Sequence, residues 1–193
     1  MPRRRIVIAR HGQTAWNAAG KLQGHTDICL DEVGRSQAKS LADGLGDSKI
    51  AQVWTSDLLR ARETGEIVAA ALGLPAPQIE PALRERKFGV FEGLTRDECA
   101  TRHPEHWQAW TASTTAPPGG EQRDEAVARM RAALARVATS TTVHGTILVV
   151  THGGVMRLWL MDLLGRSVPL VANGTTYIVD HDDGLFSPVH VPR

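Results

Sequence analysis

The sequence has 193 residues and a formal net charge of +1, with 42% hydrophobic and 22% charged residues. This length is enough for one substantial hydrophobic core, so we predict a single domain over residues 1–193. A net charge near zero gives no overall field that would attract nucleic acid or an anionic membrane. Any preference for anions must therefore come from local clusters of charge.

The cysteines and the N-terminus indicate the cellular compartment. Cys29 and Cys99 form no CxxC pattern, which fits a reducing cytoplasm. MPRRRIVIARHG begins like a signal peptide, but its apolar stretch covers only residues 6–9, and no run approaches the length of a membrane span. We therefore expect a cytoplasmic protein with an intact N-terminus and with neither nucleic acid nor a membrane as a partner.

In chain order, the first part of the sequence alternates short apolar strands with amphipathic helices. RIVIA (5–9) is rich in β-branched residues and predicts a buried strand. Residues 18–34 have no clean period and predict a loop, whereas apolar residues at helical spacing predict a helix over 36–45. A second strand is predicted over 50–56, and its final serine is the expected N-cap of a helix over 57–72.

The middle of the chain is more irregular. QIEPALRE (78–85) predicts a short extended piece, and the Thr-x-x-Glu pattern of TRDE (95–98) predicts a capping box and a short helix. HPEH (103–106) predicts a polar turn because proline disrupts a helix interior. Residues 111–121 predict a loop, since this stretch is rich in Gly, Pro, Ser and Thr.

The last part of the chain returns to regular patterns. Apolar residues at helical spacing predict a helix over 127–137. GTILVVTHGG (145–154) predicts a strand with a sharp end, followed by a helix over 155–165, and a terminal hairpin is predicted around Asp183-Gly184. The alternation of strands and helices predicts a layered α/β fold with a largely parallel sheet.

Two predicted strands end in the same dipeptide, His-Gly. The first gives His11 with Gly12, and the later one gives His152 with Gly153 and Gly154. Because ligands of open α/β sheets bind at the carboxyl ends of the strands, we expect both histidines to face one pocket. The glycines are expected to let the backbone turn sharply near a ligand and to leave main-chain N–H groups for an anion.

Arginines and a glutamate lie near the same predicted strand ends. Arg10 precedes His11, Arg60 and Arg62 follow the strand over 50–56, and Glu85 lies in LRERKFGVFEG. Arg60 and Arg62 are two positions apart, so a helix points them in opposite directions and at most one reaches the pocket. Each residue alone has a structural explanation as a turn histidine, a solvated arginine or a surface glutamate. Together they form a set suited to phosphoryl transfer.

The sequence resembles the histidine phosphatase superfamily, also called the phosphoglycerate mutase-like family. The resemblance implies a three-layer α/β/α fold and a metal-independent phosphatase that acts on a small phosphorylated substrate without a cofactor. It runs from Ile6 to about Gly154 and rests on six motifs in order: RHGQTAWN (10–17), LQGHTDICLDEVGRSQA (22–38), SDLLRARET (56–64), LRERKFGVFEG (83–93), PGGE (118–121) and VVTHGG (149–154).

The resemblance also implies the catalytic roles. His11 is the nucleophile that takes the phosphoryl group, Arg10, Arg60 and His152 contact the phosphoryl oxygens, and Glu85 donates a proton to the leaving group. His11 must attack as a neutral imidazole whose other nitrogen donates to a fixed acceptor, for which we expect a backbone carbonyl. We expect His152 to be protonated beside the phosphate, and Glu85 to carry its proton when substrate is bound.

A further set of residues is implied to bind the substrate. Asn17 matches a phosphate contact, Thr14, Gln23 and Gly24 match the pocket entrance, and Gly153 lies next to the second histidine. The sequence identifies neither the natural substrate nor the oligomeric state, and it leaves open whether residues 95–121 form a lid.

Three alternative functions were weighed. A metal hydrolase is disfavoured because His103 and His106 are not part of an HExxH motif or a ligand cluster. A phosphoglycerate mutase uses the same residues, but the compact segment between Glu85 and His152 favours a phosphatase. A binding module without activity is disfavoured by the complete catalytic set. Trp107 and Trp110 are expected to be packing residues rather than substrate contacts.

Overall fold

The computed structural model describes residues 3–140 and 144–190. Its six strands are β1 (Arg4–Arg10), β2 (Ile50–Thr55), β3 (Gln78–Ile79), β4 (Thr146–Thr151), β5 (Thr176–Asp182) and β6 (Leu185–His190). They form one sheet in the order β3-β2-β4-β1-β5-β6, in which the first four strands pair in parallel and the β1–β5 and β5–β6 pairs are antiparallel. The predicted largely parallel sheet is confirmed.

The helices cover both faces of this sheet. They are α1 (Ala15–Ala18), α2 (Glu32–Gly44), α3 (Leu59–Ala71), α4 (Arg96–Arg102), α5 (Pro104–Thr111), α6 (Arg123–Ser140) and α7 (Gly153–Leu164). The α2–α3 pair packs on one face and the α6–α7 pair on the other, which confirms the three-layer α/β/α architecture. No helix within the described residues combines the length and the apolar character that a bilayer crossing needs.

The two central strands are buried on both faces. In β1, Ile6 and Ile8 pack into the core shared with α6 and α7, whereas Val7 and Ala9 pack into the core shared with α2 and α3. All six residues of β4 are buried. Such strands appear in a sequence as continuous apolar runs rather than as an alternation, which is why both were recognised.

The register of β1 against β4 brings the two His-Gly dipeptides together. Arg10 lies opposite Thr151, and the main-chain N–H of His11 donates to the carbonyl oxygen of Thr151 at 3.0 Å. His11 and His152 therefore leave neighbouring parallel strands at the same edge of the sheet.

A small apolar cluster lies beside this edge. Phe88, Phe91 and Cys99 are buried together, and Trp107 and Trp110 of α5 pack against them. The cluster joins α4 and α5 to the segment that follows Glu85, so it fixes one wall of the region where the strands end.

Three local predictions were wrong at element boundaries. The loop predicted over 18–34 ends earlier, because Asp31 caps α2, which begins at Glu32. Ser56 does not cap α3, which begins at Leu59 without a side-chain cap, since the Ser56 hydroxyl pairs with a histidine instead. Pro104 starts α5 rather than preventing it. The N–H groups of the first turn have no acceptor within the helix, so the N–H that proline lacks is not missed there.

Two other local predictions are confirmed. Thr95 and Glu98 form a reciprocal capping box at the start of α4. Asp183 and Gly184 connect β5 and β6 with φ values of 45° and 81°, as a two-residue hairpin with the favoured twist requires.

A close backbone contact fixes α2 against the segment after β1. A Cβ atom at Gly34 would lie 2.1 Å from the carbonyl oxygen of Gln13, and a Cβ atom at Gly12 would lie 2.4 Å from that of Gly34. Both positions therefore need glycine for space, because backbone atoms cannot move aside as a flexible side chain can.

We predict that Gly34→Ala lowers the free energy of unfolding by about 1–3 kcal/mol, as overpacking does. Gly44→Ala on the same helix is the matched control, because nothing lies within 4 Å of its added Cβ. It should leave the stability unchanged or raise it by up to about 1 kcal/mol. Urea unfolding of the two variants and the parent measures this, and equal stability of the two variants would contradict the contact.

Candidate active site

A cavity of about 400 Å³ lies where β1 and β4 end. Its lining includes four of the predicted catalytic residues and four of the predicted substrate-binding residues: Arg10, His11, Arg60, Glu85, Asn17, Gln23, Gly24 and Gly153. His152 is fully buried, with its ring centroid 5.1 Å from that of His11. Thr14 lies outside this lining, since its buried side chain accepts a hydrogen bond from the Asn17 N–H and caps α1.

His11 has the protonation and tautomer that a nucleophile needs. Burial, followed by the charges of Arg60 and Arg10, holds the pKa of His11 well below its ordinary value, so the ring is neutral at neutral pH. Its Nδ1 lies 2.6 Å from the carbonyl oxygen of Gly12, the kind of acceptor that we expected. Because a carbonyl only accepts, Nδ1 carries the proton and Nε2 has a free lone pair.

His152 is held by a different partner. Its Nε2 lies 2.7 Å from the Ser56 hydroxyl, and its Nδ1 is buried without a hydrogen-bond partner. Burial, Arg60, His11 and Arg10 lower the pKa of His152 well below its ordinary value. The protein without substrate therefore holds this ring neutral, whereas we expected a protonated ring beside a bound phosphate. A neutral ring that accepts the Ser56 proton at Nε2 presents Nδ1–H as a donor.

The two arginines are oriented by main-chain carbonyls. Arg60 donates to the carbonyl oxygens of Thr26 and Gly24 at 2.9 and 2.7 Å, and Arg10 donates to that of Val171 at 2.6 Å. Burial lowers the pKa of Arg60 to about 10, so its charge persists at neutral pH. The Nε atoms of both arginines are buried without partners. Together with Nδ1 of His152, they are three buried nitrogens without a protein partner, and both arginines line the cavity with His11.

The geometry also separates the two arginines of α3. Arg60 is fully buried in the site, whereas Arg62 is partly exposed and pairs with Glu66 at 3.6 Å on the outer surface of the helix. Only Arg60 reaches the cavity, as the two-residue spacing predicted.

Glu85 connects its own segment to the first turn of α7. Its carboxylate accepts main-chain N–H groups of Gly154 at 2.8 Å, Val155 at 2.6 Å and Arg86 at 2.8 Å. A Cβ atom at Gly154 would lie 2.7 Å from this carboxylate, and one at Gly153 would lie 2.9 Å from Nε of Arg10. These glycines therefore make room for the side chains of Glu85 and Arg10.

One expectation about the glycine turns was wrong, and a second was wrong for two of the three glycines. None of Gly12, Gly153 and Gly154 has the positive φ that would make a sharp turn depend on glycine. Of the main-chain N–H groups predicted to hold an anion, two have protein acceptors, since Gly12 donates to Thr64 Oγ1 and Gly154 donates to Glu85. The N–H of Gly153, the first residue of α7 and part of the cavity lining, has no acceptor among the described hydrogen bonds.

Glu92 supports the site, although the sequence analysis assigned it no role. Its carboxylate accepts the main-chain N–H groups of His25, Thr26 and Phe88 at 3.2, 3.0 and 3.0 Å, and the Thr26 hydroxyl at 2.7 Å. It thereby holds the 24–26 loop, whose carbonyls orient Arg60. The glutamate is present in LRERKFGVFEG, but the N–H group of His25 that it accepts lies 67 positions away in the sequence.

The described residues offer no alternative metal centre. Within residues 3–140 and 144–190, no three His, Cys, Asp or Glu side chains lie close enough together to share a metal ion.

Comparison with known proteins decides the family. The family model of the histidine phosphatase superfamily (branch 1) matches residues 6–191. The chain belongs to this superfamily. It is 39% identical to the metal-independent phosphoserine phosphatase of Arabidopsis thaliana over 179 residues, which cover 90% of this chain and 75% of that protein.

Two further similarities cover nearly the whole chain. The 2,3-bisphosphoglycerate-dependent phosphoglycerate mutase 2 of Gloeobacter violaceus is 34% identical over 199 residues, covering 97% of this chain and 91% of that protein. The solved structure of mycobacterial glucosyl-3-phosphoglycerate phosphatase in complex with VO3 has a TM-score of 0.84 and 29% identity, covering 97% of this chain and 98% of that chain.

We predict that the two buried histidines make the protein less stable as the pH falls below about 6.5. Unfolded histidines take up protons near this pH, whereas the depressed pKa values keep His11 and His152 neutral in the folded protein. The free energy of unfolding is therefore unaffected by these two histidines above about pH 6.5. It decreases as the pH falls from about 6.5 toward their folded-state pKa values. Each histidine gives a slope of at most about 1.4 kcal/mol per pH unit.

Urea unfolding between pH 7.5 and 5.5 measures this slope. His152→Asn should weaken the pH dependence, because one of the two proton-binding differences is gone. An identical slope in the parent protein and the variant would show that this ring is not held neutral.

We also predict that Ser56→Ala lowers kcat/KM for a phosphomonoester about tenfold, since it leaves Nε2 of His152 buried and unsatisfied. Ser56→Thr keeps the hydroxyl and should restore most of the activity. The ¹⁵N shifts of the His152 ring distinguish this positioning role from a loss of packing, because Ser56→Ala alone should reduce the Nδ1–H tautomer. Unchanged shifts together with full activity in Ser56→Ala would refute the assignment.

Proposed function

We propose that this protein is a phosphatase that hydrolyses a small phosphorylated metabolite through a phosphohistidine on His11. The observation that carries the proposal is a neutral, buried imidazole with a free Nε2, next to three buried donors that have no protein partner. A phosphate monoester carries about two negative charges at neutral pH, and Arg10 and Arg60 offset them.

In the first step, Nε2 of His11 attacks the phosphorus atom while the bond from phosphorus to the leaving oxygen breaks. The transition state spreads charge over three equatorial oxygens, and Arg10, Arg60 and His152 supply donors for them from different directions. The leaving oxygen takes the proton of the Glu85 carboxyl group, and general acid catalysis of this kind is typically worth about 10²–10⁴-fold.

In the second step, water attacks the phosphorus atom of the phosphohistidine. The Glu85 carboxylate accepts a proton from this water, the phosphorus–nitrogen bond breaks, and inorganic phosphate and neutral His11 are released. The three main-chain N–H groups that hold the carboxylate keep it in place for both steps. Gln23 and Gly24 line the cavity where the alcohol part of the substrate would sit, and Asn17 lines the same cavity as a further contact of the phosphoryl group.

Phosphoglycerate mutase activity is the second candidate, because mutases use the same phosphohistidine and one relative carries that name. The compact segment between Glu85 and His152 does not separate the two activities, since that mutase is matched over 91% of its length. Relatives named for phosphoserine and for glucosyl-3-phosphoglycerate support hydrolysis. We further propose a single domain over residues 1–193, a cytoplasmic location and metal-independent activity.

We predict that His11→Asn abolishes turnover, because no other group can carry the phosphoryl intermediate. Glu85→Gln should slow the hydrolysis of glycerol 3-phosphate by at least about 10²-fold. The same variant should still label His11 from p-nitrophenyl phosphate, whose leaving group needs no proton. Acid-labile phosphate on the protein and release of p-nitrophenolate measure the two effects.

Arg62→Gln is the control, because this surface arginine lies outside the cavity and its one ion pair among the described residues is with Glu66. Turnover by His11→Asn would overturn the mechanism. If Glu85→Gln lowered the rate equally with glycerol 3-phosphate and with p-nitrophenyl phosphate, Glu85 would not be the general acid. Release of free phosphate, compared with interconversion of 3- and 2-phosphoglycerate, decides between phosphatase and mutase.

A further inference from the structure

The arginines of this protein fall into two groups. Most arginines of the outer surface pair with a carboxylate, as Arg62, Arg84 and Arg131 do. Within the described residues, the arginines that line the cavity form no ion pair. They are Arg10, Arg60, Arg86, Arg96 and Arg157.

This positive charge exceeds what one phosphoryl group requires. Arg10 and Arg60 already match its two negative charges. Lys21 and the three remaining arginines line the same cavity, and Glu85 is the only carboxylate in the lining. Repulsion among these cations is a cost in the free protein, and a second anion would relieve it.

Arg86 is held in a fixed orientation at this cavity. It is 8% exposed, its Nε donates to the carbonyl oxygen of Glu121 at 2.8 Å, and its guanidinium carbon lies 5.9 Å from the Trp110 ring centroid. The Glu121 carboxylate binds Arg129 instead, with both distances at 2.7 Å. Among the described hydrogen bonds, the two terminal nitrogens of Arg86 have no acceptor.

Arg157 is held in the same manner from α7. Its Nε donates to the carbonyl oxygen of Val168 at 2.7 Å, and its terminal nitrogens also have no acceptor among the described residues. It lies one helical turn after Gly153, so it shares the face of α7 that lines the cavity. Carbonyl partners orient both guanidinium groups without neutralising them, as they do for Arg10 and Arg60.

We propose that Arg86 and Arg157 form a second anion subsite, and that the alcohol part of the substrate carries a carboxylate or a second phosphate group. The inference rests on the proposed function and adds the substrate class to it. Planar arginine donors suit either anion, because both present paired oxygens. Lys21 and Arg96 add positive charge at the same cavity, while Phe88, Trp110 and Leu158 provide an apolar wall for the carbon skeleton.

The test is competition against p-nitrophenyl phosphate hydrolysis, which works whether or not a competitor is itself turned over. 3-Phosphoglycerate and glycerol 3-phosphate differ by a carboxylate in place of a hydroxymethyl group. Glucose 1,6-bisphosphate and glucose 6-phosphate differ by one phosphate. In at least one pair, the competitor with the second anion should bind about tenfold more tightly, since hydrogen bonds to charged groups are strong. The pair with the preference identifies the anion.

Arg86→Gln and Arg157→Gln should each reduce this preference several-fold, and Arg86→Lys should restore only part of it because lysine lacks the planar fork. Arg62→Gln is the matched control and should keep the parent preference. Preferences below twofold in both pairs, or an unchanged preference in both Gln variants, would overturn the subsite. Hydrolysis of p-nitrophenyl phosphate that depends on His11 would in that case leave the proposed function intact. Loss of that dependence would overturn the proposed function instead.

Discussion

The pairing of β1 with β4 is the constraint on which the site depends. Two strands that are about 140 positions apart lie side by side in parallel, so the residues after Arg10 and Thr151 must meet at one edge. Hydrophobic burial on both faces of these strands fixes their register, because a slip by one residue would exchange the two cores. The distance between the two histidine rings is thus set by the packing of the sheet.

The second organising principle is the orientation of buried cations by main-chain carbonyls. A carboxylate would orient Arg60 equally well, but it would cancel the charge that an anionic substrate requires. The carbonyl oxygens of Gly24 and Thr26 avoid this, at the cost of a loop that must be held in place. Glu92 stabilises that loop by accepting hydrogen bonds from its backbone, and it forms no ion pair with Arg60 among the described residues.

The sequence predicted the fold class and the main elements, because their signals are local. Apolar runs identify β1 and β4, and Thr95 with Glu98 identifies a capping box. The sequence could not predict which hydroxyl and N–H groups form hydrogen bonds between distant segments. Ser56 follows a strand and precedes a helix, which suggests a cap, yet tertiary contact gives its hydroxyl to His152. The roles of Gly12 and Gly153 were likewise misjudged, since the space around a glycine depends on elements that are distant in the sequence and pack against it.

The position of Glu85 has a consequence for protein engineering. Its segment supplies the carboxylate, but two of the three main-chain N–H groups that hold the carboxylate belong to the first turn of α7, nearly 70 positions downstream. Transplanting LRERKFGVFEG into another scaffold would therefore carry over the glutamate without the two N–H groups of α7 that orient its carboxylate. The smallest part of the site that could be transferred to another scaffold includes both segments and the sheet edge that joins them.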